Sequence, residues 1–182
     1  MRSLAALVAA VALCGGCGLF PRAEVALVGD SLLHDARDEV EDANLHHLSI
    51  RAMPGITIAQ ATHLVEEAAA SRPDVLVIEL GTNDGVLSTE ELSLTASLAV
   101  LDTATSVPCV VWVAPAERND ITRRLVAHLD QQARERPNLR ILRWDEAAAH
   151  PEWFAEDGVH HTDAGQVAFA DAISEGIEDC LG

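Results

Sequence analysis

Short apolar runs that stop abruptly at turn residues most limit how this chain can fold. Residues 23–28 run into Gly29, Asp30 and Ser31; residues 74–80, DVLVIEL, run into Gly81, Thr82, Asn83 and Asp84; residues 109–114 end at Pro115. Runs of this length, rich in Val, Ile and Leu, read as strands buried on both faces. Residues 45–52, ended by Met53, Pro54 and Gly55, and residues 139–144 supply two further strands. Between the runs lie stretches with apolar residues at helical spacing: 32–44, 57–72, 89–105, 120–136 and, after a loop over 145–162, the final 163–180. Strands separated by a dozen or more helical residues need crossover connections. The expected fold is therefore a three-layer α/β/α domain, flavodoxin-like, with a five-stranded, mostly parallel sheet.

Length and composition agree with one such domain. The 182 residues, 49% of them hydrophobic, can bury a real core but hardly two. No repeat, linker or lid-sized insertion interrupts the pattern. The formal charge is −17, and all 12 basic residues are Arg with no basic run among them, which excludes nucleic acid as an expected partner.

Residues 1–18 stand apart from residues 19–182, the expected domain. Arg2 supplies a short positive start, residues 4–13 are apolar, and small residues lead to Cys17. That order is a signal peptide, too short in its apolar part to span a membrane, so export is expected. Small residues before Cys17 also resemble a bacterial lipoprotein box, although Cys14 stands where Leu is usual. Lipid at Cys17 would anchor the protein to a membrane; plain cleavage is the alternative. Either route leaves Cys109 and Cys180 as the unmodified thiols, and in an oxidising compartment two such cysteines invite a disulfide. Such a bridge would close a loop of about 70 residues and contribute roughly 4 kcal/mol in the chain-entropy model. Two buried free thiols are the plainer alternative.

A parallel sheet puts the carboxyl ends of its strands along one edge, where open α/β folds bind ligands. Ser31, Gly55 and Asn83 each follow a strand and should gather there. In the loop before the last helix, Asp157 precedes His160 by three residues with Gly158 between them. That spacing lets the carboxylate meet one ring nitrogen while the other faces outward, the base-and-orienter half of a nucleophilic triad. Duller roles are available too. Asp30 or Ser31 could cap the first helix, Asn83 and Asp84 the next, and Asp163 the last; for Asp84 and Asp163 capping is the favoured reading. His161 reads as a neighbour without a chemical role. His46 and His47, adjacent on a strand, point to opposite faces. His34, His63, His128 and His150 read as surface residues, and no spacing suggests a metal site.

Four blocks together resemble the SGNH hydrolase superfamily, the GDSL esterases and lipases: Gly29-Asp30-Ser31; Gly55 in a Pro-Gly-Ile-Thr context; Gly81-Thr82-Asn83-Asp84; and Asp157 with His160. Each is short, but they occur in family order and span the chain from first strand to last helix. The resemblance implies that Ser31 is the nucleophile, His160 the general base and later acid, and Asp157 its orienter. It implies an oxyanion hole from the backbone N–H groups of Ser31 and Gly55 and the side-chain amide of Asn83, with no metal or organic cofactor. The implied activity is hydrolysis of small-molecule or carbohydrate esters through an acyl-enzyme; a small domain without a lid suits short acyl groups. Transfer of the acyl group to a sugar or other alcohol uses the same residues. A surface-anchored binding module on the same fold is a reading from another class. A nucleotide binder would need a glycine-rich loop where Leu32, Leu33 and His34 stand. Trp153 and Phe154 line an acyl or sugar pocket or pack in the core.

Overall fold

The computed structural model describes residues 22–182; the expected signal peptide at 1–18, Cys17 and the first residues of the expected domain lie outside them. Five strands form one all-parallel sheet: β1 (Glu24–Gly29), β2 (His47–Ala52), β3 (Val75–Glu79), β4 (Cys109–Val113) and β5 (Leu139–Leu142), in the order β2-β1-β3-β4-β5. The helices are α1 (Ser31–Asp35), α2 (Arg37–Ala43), α3 (Ile58–Ala70), α4 (Asp84–Leu87), α5 (Glu90–Thr103), α6 (Asp120–Glu135) and α7 (Asp163–Leu181). This is the three-layer, flavodoxin-like architecture expected from the sequence.

Alternation along the strands divides the core in two. Ala26, Val28, Leu76, Ile78, Val110 and Trp112 face α3, α5 and α6, whereas Val25, Leu27, Val75, Val77, Val111 and Val113 face α2 and α7. Because both faces are covered, β1, β3 and β4 had to be apolar at nearly every position, which explains their unbroken runs. The largest buried polar ring in the first layer is accounted for: Trp112 Nε1–H donates to the Leu80 carbonyl at 3.1 Å.

Several boundaries differ from the sequence reading. The helix expected over 32–44 breaks at Ala36 into α1 and α2, and Ala36 is fully buried with a non-helical ψ of 14°. Strand β2 starts at His47, so His46 precedes it; its Nδ1 accepts from Ala23 N–H at 3.3 Å and its Nε2 lies 2.9 Å from Glu178. His46 is thus a link between β1 and α7, and not one of two strand histidines facing opposite ways. The fifth strand ends at Leu142, and Trp144 opens a 3-10 turn. Thr162, not Asp163, caps α7, its side chain accepting from Gly165 N–H. Thr57, the expected opening of the helical stretch over 57–72, caps α3 in a reciprocal capping box with Gln60.

A disulfide joins Cys109 to Cys180, whose Cα atoms are 5.8 Å apart, and ties the start of β4 to the end of α7.

Candidate active site

The order β2-β1-β3 reverses the chain's direction of travel across the sheet between β1 and β3, and the crevice at such a switch point is where ligands bind in open sheets. Ser31 follows β1 and Asn83 follows β3, so the two flank that crevice. Ser31 is the first residue of α1, and Asp30 supplies its cap, accepting from Leu32 N–H at 3.0 Å. The Ser31 N–H therefore sits among the unpaired donors of a helix start. Among the described residues neither this N–H nor that of Gly55 has a hydrogen-bond acceptor. Gly55 stands at φ 78°, a left-handed conformation that a side chain would disfavour.

His160 reaches the same spot from the far end of the chain. Its Nε2 lies 3.2 Å from Ser31 Oγ, and its Nδ1 lies 2.7 Å from Asp157 Oδ2. The other Asp157 oxygen accepts from Val159 N–H at 2.7 Å and His160 N–H at 3.0 Å, which locks the carboxylate to its own loop. That loop is closed like a small hairpin: Ala155 N–H donates to the His160 carbonyl, and Phe154 pairs with His161 in an antiparallel bridge. The His160 ring and these two N–H groups hold the Asp157 carboxyl down at about 2. With Asp157 ionised, the Nδ1 position is the protonated one and Nε2 is left as an acceptor facing Ser31. The structure thus brings Ser31, His160 and Asp157 into one hydrogen-bonded chain.

Asn83 arrives where expected but is not idle. Its Nδ2 donates to Asp30 Oδ2 at 2.9 Å and to the Ile56 carbonyl at 3.1 Å, so both amide hydrogens are engaged. It does not cap α4 through its side chain. Asp84 departs from the capping role expected for its own helix: it is fully buried, accepting from Ile58 N–H at 2.9 Å and from Ser93 Oγ–H at 2.9 Å. It therefore fastens the start of α3 to α5, and burial raises its carboxyl above the usual range.

His161 is buried among Trp144, Phe154 and Phe169, its Nε2 accepting from Trp144 Nε1–H at 3.2 Å. Burial, with His160 beside it, pushes the ring down to about 4. It props the loop that carries His160. Trp153 packs flat on Trp144, ring centres 5.7 Å apart, whereas Phe154 lines a cavity of about 280 Å³ with Arg118, Pro151 and Gly158. A second cavity, about 340 Å³, is lined by Met53, Gly55, Ile56, Gln60 and His63. Among the described residues no group of three or more His, Cys, Asp or Glu side chains is placed to hold a metal.

Two residues of this region escaped the sequence reading. Glu79, the penultimate residue of the expected strand over 74–80, is buried against Asp30, and an acid inside an unbroken apolar strand was the signal that could have found it. Arg118, in the loop before α6, carried no such signal.

The five-stranded parallel sheet in this order is a fold shared with solved O-acetyltransferase and GDSL-like lipase structures. The chain is similar to the catalytic C-terminal domain of Streptococcus pneumoniae peptidoglycan O-acetyltransferase A in a methylsulfonyl-adduct structure: TM-score 0.74, 21% identity, covering 88% of this chain and 95% of that one. It is similar also to a GDSL-like lipase from Bacteroides thetaiotaomicron: TM-score 0.72, 19% identity, covering 85% and 87%. In sequence it is 28% identical over 156 residues to the O-acetyltransferase OatA of Staphylococcus aureus; the match takes in 84% of this chain but only 24% of that much longer protein. No protein-family model matches the chain.

Proposed function

We propose that this chain is an exported serine enzyme of the SGNH type that removes short acyl groups from esters through an acyl-enzyme on Ser31. The single observation that carries this reading is the unbroken chain from Ser31 Oγ through His160 to Asp157, at 3.2 and 2.7 Å.

In this reading His160 Nε2 takes the Ser31 Oγ–H proton as Oγ attacks the acyl carbonyl. The tetrahedral oxyanion lies against the N–H groups of Ser31 and Gly55, and draws an amide hydrogen of Asn83 away from the Ile56 carbonyl. Collapse expels the alcohol, which leaves with the proton returned by His160, and the acyl group remains on Ser31. Water then attacks the acyl carbon with His160 again as base, releasing the acid and restoring Ser31. Asp157 stays ionised throughout and fixes the ring tautomer. Base assistance of this kind is worth ~10²–10⁴ in rate, and one oxyanion donor ~10²–10³.

The Met53, Gly55 and Ile56 wall beside the oxyanion donors suits a small acyl group, because no insertion covers it and a long chain would stay in water. The cavity of Phe154, Arg118 and Gly158, on the His160 side, suits the alcohol. Export fits the Cys109–Cys180 disulfide, which persists only outside a reducing cytosol. Residues 1–18 hold the leader in that route: cleavage just before Cys17 leaves it as a lipid attachment point, and plain cleavage after it removes it.

Acyl transfer to a carbohydrate hydroxyl is the second reading, favoured by the likeness to the Staphylococcus aureus and Streptococcus pneumoniae O-acetyltransferases. The two differ only in what attacks the acyl-enzyme. Incubation with 4-nitrophenyl acetate, with and without oligosaccharide acceptors, separates them: free acetate supports hydrolysis and acetylated sugar supports transfer. Folded protein that neither turns over nor labels at Ser31 with a fluorophosphonate would overturn both and leave a binding module.

A further inference from the structure

Two buried acids beneath Ser31 are left unused by the steps above. Asp30 is fully buried and Glu79 is 3% exposed. Gly29 and Glu79 are register partners across β1 and β3, so the side chain of Glu79 rises directly under the turn that carries the nucleophile. Asp30 N–H donates to Glu79 Oε2 at 2.9 Å and to the Glu79 carbonyl at 3.2 Å. With Oε2 held on the Asp30 N–H, the Glu79 carboxyl sits beside the Asp30 side chain. Gly29 is what allows this approach: a Cβ there would stand 2.8 Å from Glu79 Oε2 and 2.6 Å from Leu33 Cβ.

Two ionised carboxylates in contact, out of water and without an Arg, would repel each other by several kcal/mol, so such a pair holds a proton between them. The direction of that sharing follows from the surroundings. Asp30 has outside help for its charge: Leu32 N–H on Oδ1 at 3.0 Å, Asn83 Nδ2–H on Oδ2 at 2.9 Å, and the nearby His160 ring. Glu79 lacks those partners and is the better proton holder: burial pushes Asp30 up to about 6 and Glu79 well above its ordinary range.

We propose that Glu79 and Asp30 form a proton-sharing carboxyl pair that positions the reaction centre: protonated Glu79 donates to Asp30, and the single charge on Asp30 holds the helix start bearing Ser31 and the amide of Asn83 in register. This deepens the reading of Ser31 as nucleophile and Asn83 as oxyanion donor, and rests on it. The charge has a second consequence. It lies close enough to His160 to favour the imidazolium that forms while the tetrahedral intermediate exists. Neither acid touches substrate, so both are positioning residues.

The test uses Glu79→Gln, Glu79→Leu and Asp30→Asn in the full chain, with kcat and KM for 4-nitrophenyl acetate, thermal unfolding, and infrared detection of a protonated carboxyl at neutral pH. Gln can donate to Asp30 and accept its N–H as protonated Glu does, so Glu79→Gln should keep at least about a third of wild-type kcat. Glu79→Leu should lower kcat about 10–100-fold with KM changed less than about threefold, the size expected when an oxyanion donor is misplaced. Asp30→Asn, similar in volume but uncharged, should lose at least as much. Wild type should show the protonated-carboxyl band and Glu79→Gln should lack it. A folded Glu79→Leu with wild-type kcat, or Glu79→Gln as impaired as Glu79→Leu, overturns the proposal. If Glu79→Leu does not fold, Asp30→Asn with unchanged kcat does so instead, as does absence of the infrared band. A wild type inert to substrate and to fluorophosphonate fails the parent reading and ends this one with it. That result is distinct from an active wild type whose Glu79 variants are indifferent.

Discussion

Nε2 of His160 lies 3.2 Å from Oγ of Ser31 although 129 residues separate them in the chain. A contact between one residue at the start of α1 and another in the loop before α7 exists only because the end of β1 and that loop meet at the sheet's carboxyl edge. Breaking it should be costly to turnover and nearly free to folding, since both side chains are partly exposed. Ser31→Ala should abolish fluorophosphonate labelling. His160→Ala and Asp157→Asn should each lower kcat by roughly 10²–10⁴, with melting temperatures within a few degrees of wild type. Labelling of Ser31→Ala at the wild-type rate would place the nucleophile elsewhere.

The Asn83 amide gives both hydrogens to Asp30 and Ile56 at rest. In the proposed mechanism, replacing it by Ala removes a donor from the oxyanion, and it frees the acceptors on Asp30 and Ile56. The expected loss in kcat is roughly 10²–10³, with KM little changed, because the missing bond strengthens only in the transition state. Steady-state kinetics with an aryl acetate measures the split. A loss confined to KM would make Asn83 a ground-state contact.

What could be read in advance, and what could not, follows from the physics of each signal. Residues 74–80 and 109–114 announced themselves because a strand covered on both faces has no polar alternation to blur it. The places of Ser31, Gly55 and Asn83 followed from parallel topology alone. The break at Ala36 was invisible, since α1 and α2 share one apolar face and a buried Ala carries no turn signal. Thr162 took the cap expected of Asp163 by a single residue, within the ordinary fraying of helix ends. Asp84 was misjudged for a different reason: its partners, Ile58 N–H and Ser93, belong to elements that nothing local connects to it. The pairing of Glu79 with Asp30 across neighbouring strands was hidden in the same way.

The Cys109–Cys180 bridge spans 71 residues, which in the chain-entropy model contributes about 4 kcal/mol by restricting the unfolded chain. The Cys109→Ser/Cys180→Ser double variant should therefore unfold at lower urea concentration while its activity at low temperature stays near wild type, because neither cysteine is near the site. Urea midpoints with and without reductant check this. A midpoint unaffected by both would mean that the native state, or residual order in the unfolded one, cancels the constraint.

His161 makes stability depend on acid. Its ring in the folded state titrates at about 4 against an ordinary 6.5, so between those values the unfolded chain binds a proton that the folded one refuses. Its contribution is complete above pH 6.5 and is lost as pH falls toward 4, with a slope of at most about 1.4 kcal/mol per pH unit. Asp30 works in the opposite sense: raised to about 6, it favours the folded state at low pH and stops doing so as pH rises through that value. Comparison of His161→Gln with wild type isolates the histidine. Gln keeps an acceptor for Trp144 Nε1–H but cannot take up the proton. Its stability relative to wild type should rise from pH 7 to pH 4, as measured by urea midpoints at each pH. A constant difference would show that the folded protein accommodates the charged ring.

Arg118 bears on substrate choice. Its guanidinium stands 3.5 Å from where a Cβ on Gly158 would sit, between Asp157 and His160 in sequence, and it shares a cavity with Phe154. The chain's charge of −17 repels anions at a distance, but salt at physiological strength screens such repulsion beyond about 8 Å. At contact range the nearest cation decides. An ester whose alcohol part carries a carboxylate can pair with Arg118 while its acyl group reaches Ser31; a neutral ester of similar size has only Phe154 to rest on. Arg118→Ala should therefore lower the ratio of kcat/KM for carboxylate-bearing over neutral acetyl esters by about tenfold, some 1.4 kcal/mol, the size of a charge-assisted hydrogen bond. Competition assays with the two esters in one mixture read that ratio directly. An unchanged ratio would assign the acidic end of such a substrate to a place away from this cavity.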